Sequence, residues 1–402
     1  MTLELSLSHQ FETFSLQVDI RASDGITALF GRSGAGKTTI AQAVSGLLTP
    51  QQGRIALAGS VLFDRNLGIN IAPNKRRIGY VFQDGRLFPH MSVAGNLRFG
   101  KQFATNPLAP KSEQRIIDML GLGQMLARRP GTLSGGEKQR VAIGRALLSD
   151  PRMLIMDEPL AALDTARKAE ILPYLERLRD EAALPILYIS HAMDEIARLA
   201  DTLVLLQAGR VMRTGPAVDI LADPAAVPFI GVRHAGAVLM ATVVAHHTDG
   251  LCQLSVSGGM LHLPGVAAPV GEQLRLRVLA QDVIVATERP QHLSALNILP
   301  AVVTSLRFGD GPGVALGLRV GQEQLLARIT KRSANELDLS EGRQCFAILK
   351  ATTVARDSIG QSTWRGRAFK FHKNCFFTQD FTKSFRLRRR VFCCKWPDPR
   401  HA

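Results

Sequence analysis

The sequence predicts an α/β domain followed by an all-β domain, and three observations support this fold class. Residues 1–230 alternate short apolar runs with helical stretches, as α/β domains do. Within them, a glycine-rich loop at 31–38 stands between an apolar strand at 26–30 and a helix at 39–45. After about residue 235 the chain consists of short alternating runs rich in Val and Leu, separated by Gly and Pro. This texture predicts the strands of a small barrel.

The glycine-rich loop fits the pattern G-x-x-x-x-G-K-[ST] in full and predicts a phosphate site. Glycines let the backbone curl so that several N–H groups point at one phosphate, and the following helix adds the positive end of its dipole. Lys37 can reach the β- and γ-phosphates, and the Thr38 hydroxyl can ligate Mg²⁺. The residues that we expect to bind the nucleotide here are Gly31, Arg32, Ser33, Gly34, Ala35, Gly36, Lys37, Thr38 and Thr39.

Two carboxylates end an apolar strand at 153–157 and indicate hydrolysis. Asp157, at the carboxyl end of this strand, is placed to hold Mg²⁺ through water. Glu158 beside it can polarise an attacking water as general base. An acidic strand end is unremarkable by itself, and its pairing with the phosphate loop is what favours the functional interpretation.

A second glycine-rich segment, Ser134, Gly135 and Gly136, opens the helical run at 141–148. One chain seldom needs two phosphate cradles for one nucleotide, so the second segment suggests a nucleotide held by another subunit.

Two single residues follow predicted strands. Gln83 could contact Mg²⁺ or the lytic water, or be a solvated loop residue. His191 could donate to the γ-phosphate, or be a structural histidine.

Together these segments resemble the ATP-binding subunit of an ABC transporter. The matching motifs are Walker A at 31–38, the Q-loop Gln83, the signature at 133–137, Walker B at 153–158, the D-loop at 162–164 and the switch histidine His191. The resemblance implies an ATPase with ATP and Mg²⁺ as cofactors and a helical subdomain within 84–130. It also implies a head-to-tail homodimer, in which two ATP molecules lie between the phosphate loop of one copy and Ser134 and Gly136 of the other. Gly135 and Asp164 belong to the same expected nucleotide site.

The resemblance further implies membrane partners. The cassette would close on ATP and flip integral membrane permease subunits between outward and inward states. It would lie at the cytoplasmic face of the cell's inner membrane as a peripheral subunit. The family's stacking aromatic on the first strands has two candidates here, Phe11 and Phe14, and either could be plain core.

The β region contains three stretches, 293–299, 327–333 and 349–351, that resemble the Mop domain. Members of that family bind molybdate through backbone N–H groups, hydroxyls and a lysine, which suits a tetrahedral dianion that needs many donors. The residues that the resemblance assigns to an oxyanion, molybdate or tungstate, are Ser294, Asn297, Lys331, Ser333 and Lys350. A purely structural barrel is the alternative.

The stretches 75–90 and 95–98 also resemble molybdate-import ATPases. With the Mop-like part, they imply a subunit that energises molybdate uptake and works indirectly with a periplasmic oxyanion-binding protein. An importer ATPase for another solute, such as sulfate, iron, a polyamine or a sugar, is the first alternative. A soluble ABC protein of DNA repair or translation is a second, but this chain has one cassette and no heptad run. The β region as an anion store or sensor is a third.

Composition narrows the class of protein. The chain has 402 residues and is 46% hydrophobic, which is ample for real cores. No apolar run approaches the length of a membrane span, and the alternating start does not read as a signal peptide. Five cysteines without a C-x-x-C or zinc spacing fit a reducing cytoplasm.

The net charge of +15 is concentrated at the C-terminus, where residues 356–402 hold 12 Lys or Arg against 3 Asp or Glu. The rest is only mildly basic, so we expect no nucleic-acid partner. The segment is either a membrane-surface or nucleic-acid arm, or a non-native terminus. The domains that we expect are 1–230 for the ATPase, 231–290 for a β-rich connection, 291–355 for the Mop-like barrel and 356–402 for a basic tail, disordered or non-native.

Overall fold

A computed structural model describes residues 2–22, 24–106, 108–181, 184–352 and 359–361. In these residues an N-terminal α/β region carries one eleven-stranded sheet, and a C-terminal β region carries two five-stranded sheets. The expected basic tail at 356–402 lies outside the described residues except for 359–361.

The sheet of the α/β region contains β1 Leu3–Gln10, β2 Ser15–Ala22, β3 Ile26–Phe30, β4 Gln52–Leu57, β5 Ser60–Asp64, β6 Ile69–Asn70, β7 Ile78–Val81, β8 Met153–Asp157, β9 Ile186–Ile189, β10 Thr202–Gln207 and β11 Arg210–Pro216. Its helices are α1 Lys37–Ser45, α2 Val93–Gln102, α3 Pro110–Met119, α4 Gly135–Leu148, α5 Thr165–Glu181, α6 Met193–Leu199, α7 Ala217–Ala222 and α8 Val227–Ile230. The strand expected at 26–30 and the helix expected after the phosphate loop are both present.

Helices cover both faces of the parallel part of this sheet. Side chains alternate across a strand, so consecutive residues of β8 face opposite layers. Met153 and Ile155 pack in one cluster with residues of α1, whereas Leu154 and Met156 pack in another with residues of α4 and α5. An all-apolar strand such as β8 is therefore buried on both sides, as parallel strands in α/β proteins are.

A buried arginine from a later segment binds the carboxyl end of the first helix. Arg76 is 1% exposed, and its Nη1 donates to the carbonyls of Ala43 at 2.7 Å and Val44 at 2.8 Å. These are carbonyls of the last turn of α1, where a cation complements the helix dipole. Burial lowers the pKa of Arg76. The contact holds α1, the helix that begins with Lys37, against the segment before β7.

The expected helical subdomain is present within 84–130. It consists of α2 and α3, and α2 packs on α4. Ser92 caps α2, because its side chain accepts from the Gly95 N–H. The α4 helix, which begins in the signature segment, therefore packs directly against this subdomain.

In the part of the β region that the structure describes there are ten strands and one α-helix. They are β12 Gly236–His246, β13 Leu251–Val256, β14 Gly259–Pro264, β15 Gln273–Leu279, β16 Ile284–Ala286, β17 Asn297–Phe308, β18 Gly313–Val320, β19 Glu323–Thr330, α9 Lys331–Glu336, β20 Gln344–Leu349 and β21 Ile359–Gln361. The sheet orders are β14-β13-β12-β15-β21 and β16-β20-β17-β18-β19.

The two sheets share one hydrophobic core, which departs from the expected division at 290. Apolar residues of β12 to β15 pack in the same cluster as those of β17 to β20. The segment 231–290 is therefore half of the β region, because the apolar faces of the two five-stranded sheets pack against each other. The described residues 359–361 also extend this fold beyond the expected end at 355, since β21 pairs with β15.

Two arginines of β15 join the β region to α6 and its end. The Arg277 guanidinium, 4% exposed, pairs with Asp194 at the start of α6. Arg275 Nη2 pairs with Asp201 Oδ1 at 2.7 Å, and its Nη1 donates to the Ala200 carbonyl at 2.8 Å. Burial lowers the pKa of Arg277 to about 10. These contacts fix the β region to the helix that follows His191.

Candidate nucleotide site

The residues with predicted chemistry lie where four parallel strands end. The strands β3, β9, β8 and β7 are neighbours in this order and run parallel. Their carboxyl ends therefore meet at one edge of the sheet, where open α/β sheets bind ligands. The phosphate loop follows β3, His191 follows β9, Asp157 ends β8 and Gln83 follows β7.

The phosphate loop is built on glycine geometry. Gly34 has φ +79° and Gly36 has φ +99°, a left-handed conformation that favours glycine. The Lys37 side chain lies along the loop, and its Nζ donates to the Gly31 carbonyl at 2.8 Å and the Arg32 carbonyl at 3.1 Å. The ammonium is thereby held inside the curl of backbone that the sequence predicted.

Lys37 is partly desolvated, and two acids face it. Burial lowers the pKa of Lys37, and the carboxylates of Glu158 and Asp157 oppose this shift. A cation in such a place gains from an anionic ligand that replaces lost water, because Coulomb attraction is stronger where the dielectric constant is low. Its position suits a phosphate oxygen.

Asp157 accepts hydrogen bonds from two hydroxyls. Thr38 Oγ1 donates to Asp157 Oδ1 at 3.2 Å, and the Tyr80 phenol donates to Oδ2 at 2.9 Å. Burial raises the pKa of Asp157 and the Glu158 charge adds to this, whereas the two hydrogen bonds act in the opposite direction. The neighbouring oxygens of Thr38 and Asp157 fit Mg²⁺, which takes one or two protein oxygens together with phosphate and water.

Glu158 has an unusual backbone for an acidic residue. Its φ is +48°, and its N–H donates to the Ile189 carbonyl at 2.9 Å. A non-glycine residue in the left-handed region persists only where its surroundings hold it, and such residues cluster at functional sites. His191 Nδ1 lies 3.4 Å from Glu158 Oε1. The acid and the histidine thus face each other across the ends of β8 and β9.

One cavity of about 490 Å³ joins the phosphate loop to Glu158, and we call it the nucleotide cavity. Its lining consists of Phe11, Thr13, Phe14, Ser33, Gly34, Ala35, Gly36, Lys37, Thr38, Thr39 and Glu158. Both candidate aromatics lie on its wall, with ring centroids 6.0 Å apart. Either ring can therefore offer a face to a base, and the choice between them stays open.

The signature residues do not line this cavity. Ser134 caps α4: its side chain accepts from the Glu137 N–H at 3.2 Å, and Glu137 Oε2 accepts from the Ser134 N–H at 2.7 Å. Ser134 and Gly135 are exposed. A Cβ on Gly136 would lie 2.9 Å from Ile171 Cδ1, so the helix start packs closely on α5. The signature segment thus forms a capped helix start, and it lies outside the lining of its own chain's nucleotide cavity.

The two remaining predicted positions lie beside the site. Asp164 begins α5, since its Oδ1 accepts from the Arg167 N–H at 2.9 Å. Gln83 is exposed in the turn after β7. Tyr80, which contacts the site through its hydrogen bond to Asp157, was not predicted from the sequence. Tyr80 and Phe82 alternate in the sequence, and their stacked rings have centroids 4.3 Å apart. This alternation was the sequence signal that could have pointed to Tyr80.

The five residues expected to bind an oxyanion do not come together. Ser294 and Asn297 lie at the start of β17, and Lys350 follows β20, whose Leu349 pairs with Asn297. Lys331 and Ser333 follow β19. In the antiparallel order β20-β17-β18-β19 the end of β19 lies at the opposite end of the sheet from the start of β17. No single cage within one chain can include all five residues.

Two of these residues also have structural roles. Asn297 is fully buried, its Oδ1 accepts from the His262 N–H at 2.6 Å, and its Nδ2 donates to the His262 carbonyl at 3.2 Å. It therefore joins β17 to β14. Ser333 lies in the first turn of α9, where its N–H donates to Thr330 Oγ1 at 3.0 Å. One N–H of the Asn297 amide and its oxygen are therefore committed to the His262 backbone.

The fold and the nucleotide cavity define an ATP-binding cassette joined to a β domain. Sequence comparison agrees, because the ABC transporter family matches residues 15–161 and the TOBE domain family matches residues 293–355. The chain is 47% identical over 358 residues to the molybdenum import ATP-binding protein ModC of Rhizobium johnstonii, covering 88% of this chain and 99% of that protein. The protein of the same name from Paramagnetospirillum magneticum is 46% identical, with 89% and 99% covered. The chain belongs to this family of ABC transporter ATP-binding proteins.

Solved structures include similar cassettes. CbiO1 of Clostridium perfringens, described as part of an ABC transporter complex, has a TM-score of 0.48 and 27% identity, over 57% of this chain and 94% of that one. An ATP-binding cassette of an ABC transporter in its ADP conformation has a TM-score of 0.49 and 25% identity, over 57% and 98%. Within the described residues, the helices are too short or too polar to cross a bilayer.

Proposed function

We propose that this chain is the ATP-hydrolysing subunit of an ABC importer that energises molybdate uptake. The observation that carries the proposal is the nucleotide cavity, where Lys37, Thr38 and Glu158 meet at one sheet edge with Asp157 beside them. The solute follows from the relatives, which are named for molybdenum import. The match covers 99% of the length of each of them. The subunit would lie at the cytoplasmic face of the inner membrane as a peripheral protein.

In this proposal the chain binds ATP chiefly through its phosphates. The N–H groups of the loop and the Lys37 ammonium neutralise the β- and γ-phosphates, while Phe11 or Phe14 stacks on the adenine. Thr38 and Asp157 would hold Mg²⁺, which supplies charge neutralisation at the phosphate oxygens when it is bound. Tyr80 fixes the orientation of the Asp157 carboxylate through its 2.9 Å hydrogen bond.

Hydrolysis would use Glu158 and His191. The Glu158 carboxylate accepts a hydrogen bond from the attacking water and takes its proton as the water oxygen bonds to the γ-phosphorus, while the bond from that phosphorus to the bridging oxygen breaks and ADP leaves. His191, 3.4 Å from that carboxylate, orients it and donates toward the γ-phosphate. Gln83, after the neighbouring strand, would contact the metal or the water. The left-handed backbone of Glu158 supports this role, because it points the carboxylate from the strand end into the cavity.

Two copies would complete the sites. We infer a head-to-tail homodimer in which Ser134, Gly135 and Gly136 of one chain cover the phosphate loop of the other, with Asp164 close to the junction. The support is that Ser134 and Gly135 are exposed and that the signature segment lies outside its own chain's nucleotide cavity. ATP would favour the closed dimer and ADP would not, which turns hydrolysis into a cycle of closing and opening.

The permease subunits would dock on the helical subdomain. Three phenylalanines form a row there, with Phe88 and Phe99 centroids 4.4 Å apart and Phe99 and Phe103 centroids 5.1 Å apart. Phe103 is 67% exposed. An exposed aromatic row close to the Q-loop suits the apolar face of a partner helix. A periplasmic oxyanion-binding protein would act only through the permease.

The solute assignment has an alternative, an importer of another solute such as sulfate, iron, a polyamine or a sugar. The β region bears on it only if it binds the oxyanion, and binding of molybdate or tungstate there stays a prediction. Because its five candidate residues lie at two ends of the sheet, any one site in a chain would use Ser294 with Lys350, or Ser333 with Lys331.

The test is ATP hydrolysis by the full chain reconstituted in liposomes with its permease. We expect the periplasmic binding protein loaded with molybdate to stimulate hydrolysis, and the same protein with sulfate to leave it at the basal rate. The Glu158→Gln variant in the same vesicles is the control for contaminating ATPases. Equal stimulation by sulfate would contradict the solute assignment. Hydrolysis by the Glu158→Gln variant at the wild-type rate would contradict the assignment of the site.

A further inference from the structure

A buried carboxylate on α6 has three polar partners, which lie on β9, directly after β9 and on α5. Glu195 of α6 is 3% exposed. Its Oε2 accepts from the Tyr188 phenol and from Ser190 Oγ, both at 2.8 Å, and its Oε1 accepts from Lys168 Nζ at 2.9 Å. A buried acid needs such partners, since an unpaired buried charge is costly. Four polar side chains thus form one closed network between β9, α5 and α6.

One end of this network brackets His191. Ser190 precedes the histidine, and its hydroxyl donates to Glu195 while accepting from the N–H of Ala192, at 3.0 Å. Both chain neighbours of His191 are therefore held by the same hydroxyl. Burial raises the pKa of Tyr188, so its phenol stays protonated and keeps donating to the carboxylate. His191 itself is largely exposed and takes its position from this frame.

The other end of the network reaches the D-loop. Lys168 lies one turn into α5, and its backbone N–H donates to the Asp164 carbonyl at 2.9 Å. Its side chain is 24% exposed, so it crosses from the helix surface to the buried carboxylate. A movement of Asp164 with the first turn of α5 therefore pulls on the ion pair with Glu195.

We propose that Lys168 and Glu195 are positioning residues that couple Asp164, at the expected dimer junction, to His191, which faces Glu158 of the same chain at 3.4 Å. The inference rests on the proposed homodimer, in which Asp164 would report closure around the neighbouring ATP. When the dimer closes around the ATP next to Asp164, the ion pair transmits this movement. It thereby sets the position of His191 at the other ATP site. The ion pair touches neither nucleotide, so it acts through alignment and not through binding.

The test compares two buried ion pairs that join the same two helices. Lys168→Met breaks the pair with Glu195. Arg198→Met is the matched control, because Arg198 Nη2 pairs with Glu176 Oε1 at 2.9 Å, also between α6 and α5, and neither residue adjoins His191 or Asp164 in the sequence. Thermal unfolding of both variants measures the structural cost. Steady-state ATP hydrolysis by the full chain gives kcat and KM.

We expect Lys168→Met to lower kcat about tenfold with KM for ATP within about twofold, and Lys168→Arg to restore most of kcat. Arg198→Met should keep kcat within about twofold even where it unfolds at a lower temperature. Asp164→Ala should also lower kcat, and the double variant with Lys168→Met should lose little more than either single variant, because coupled residues are not additive.

Equal loss of kcat in Lys168→Met and Arg198→Met, in step with stability, would overturn the coupling and leave a structural network. So would full additivity with Asp164→Ala. If Lys168→Met does not fold, Glu195→Gln, which keeps the size and the acceptor of the side chain, is compared with Glu176→Gln by the same measurements. A wild-type chain that does not hydrolyse ATP would instead contradict the proposed function, so the two failures are distinguishable.

Discussion

In the α/β region, residues from four distant segments meet at one edge of the sheet, whereas in the β region the residues expected to form one site are divided between two ends. The loop after β3 and Glu158 after β8 both line the nucleotide cavity. Ser294 and Lys350, by contrast, lie at the end of the sheet opposite Lys331 and Ser333.

Strand direction explains this difference. In a parallel sheet every strand ends at the same edge, so residues that follow different strands converge whatever their distance in sequence. In an antiparallel sheet successive strands end at alternate edges, so residues after β17 and β19 lie at one end and residues after β20 at the other. Polar residues that follow successive strands therefore predict a shared site in a parallel sheet, and they do not predict one in an antiparallel sheet.

The largest effect should come from the acid of the nucleotide cavity. Glu158→Gln keeps shape and hydrogen bonding but cannot take a proton, so we expect hydrolysis to fall about 10²- to 10⁴-fold with ATP binding retained. The variant should also trap a nucleotide-bound dimer, which size-exclusion chromatography with ATP measures. Glu170→Gln, an exposed acid on α5, is the control. Near-normal hydrolysis by Glu158→Gln would exclude the general-base role.

Lys37→Ala should come next, because it removes the charge that faces the β- and γ-phosphates. We expect ATP affinity to fall by about 2–3 kcal/mol, or roughly 30- to 150-fold, by equilibrium binding of a fluorescent ATP analogue. Arg32→Ala, which keeps the Arg32 backbone carbonyl that accepts from Lys37, should change affinity less. Unchanged affinity in Lys37→Ala would contradict the phosphate assignment.

Mixing Lys37→Ala with Ser134→Ala chains sharpens the same comparison. If sites form across two chains, a mixed dimer has one doubly damaged site and one intact site. We expect residual hydrolysis in the mixture that neither parent shows, provided that one intact site turns over alone. The absence of any recovery would argue against composite sites.

In the β region the largest effect should be on stability. Asn297→Ala leaves the N–H and carbonyl of His262 without their partner, which costs about 1–3 kcal/mol for each buried group. Urea unfolding should show this loss, while kcat for ATP stays within about twofold. Ser294→Ala, an exposed neighbour at the same end of β17, should unfold like the wild type. A stable Asn297→Ala chain with impaired oxyanion binding would reverse the structural assignment.

A smaller effect should distinguish the two ends of the sheet. Calorimetry of the full chain with molybdate, tungstate and sulfate is compared for Lys331→Ala and Lys350→Ala. We expect at most one of these changes to weaken molybdate binding, by about 1–3 kcal/mol, since the two lysines cannot share an anion in one chain. Molybdate and tungstate should behave alike and sulfate bind poorly. Equal binding of all three ions would indicate loose charge attraction.

The smallest effect concerns the edge of β15. A chain that ends after Gln361 should match the full chain in hydrolysis and unfolding. A chain that ends after Arg356 loses the pairing of β21 with β15 and should lose about 1 kcal/mol of stability, with hydrolysis unchanged. Loss of membrane association in both truncations would instead support a surface arm at 362–402.

The sequence by itself determined the class of fold and the phosphate site. The loop at 31–38 needs glycine at positive φ and a helix start behind it, and both requirements are local. The acids at 157 and 158 were predictable for the same reason, since an apolar strand places its last residues at the sheet edge.

Only the tertiary structure decided which residues meet and what supports them. Tyr80 on Asp157, and Lys168 on Glu195, join elements that no sequence spacing connects. From the sequence, Asn297 was expected to donate to an oxyanion. In the structure β17 packs on β14, and the Asn297 amide is hydrogen-bonded to the His262 backbone. Hydrogen bonds between distant elements depend on strand order and register, and these follow from how whole faces are buried.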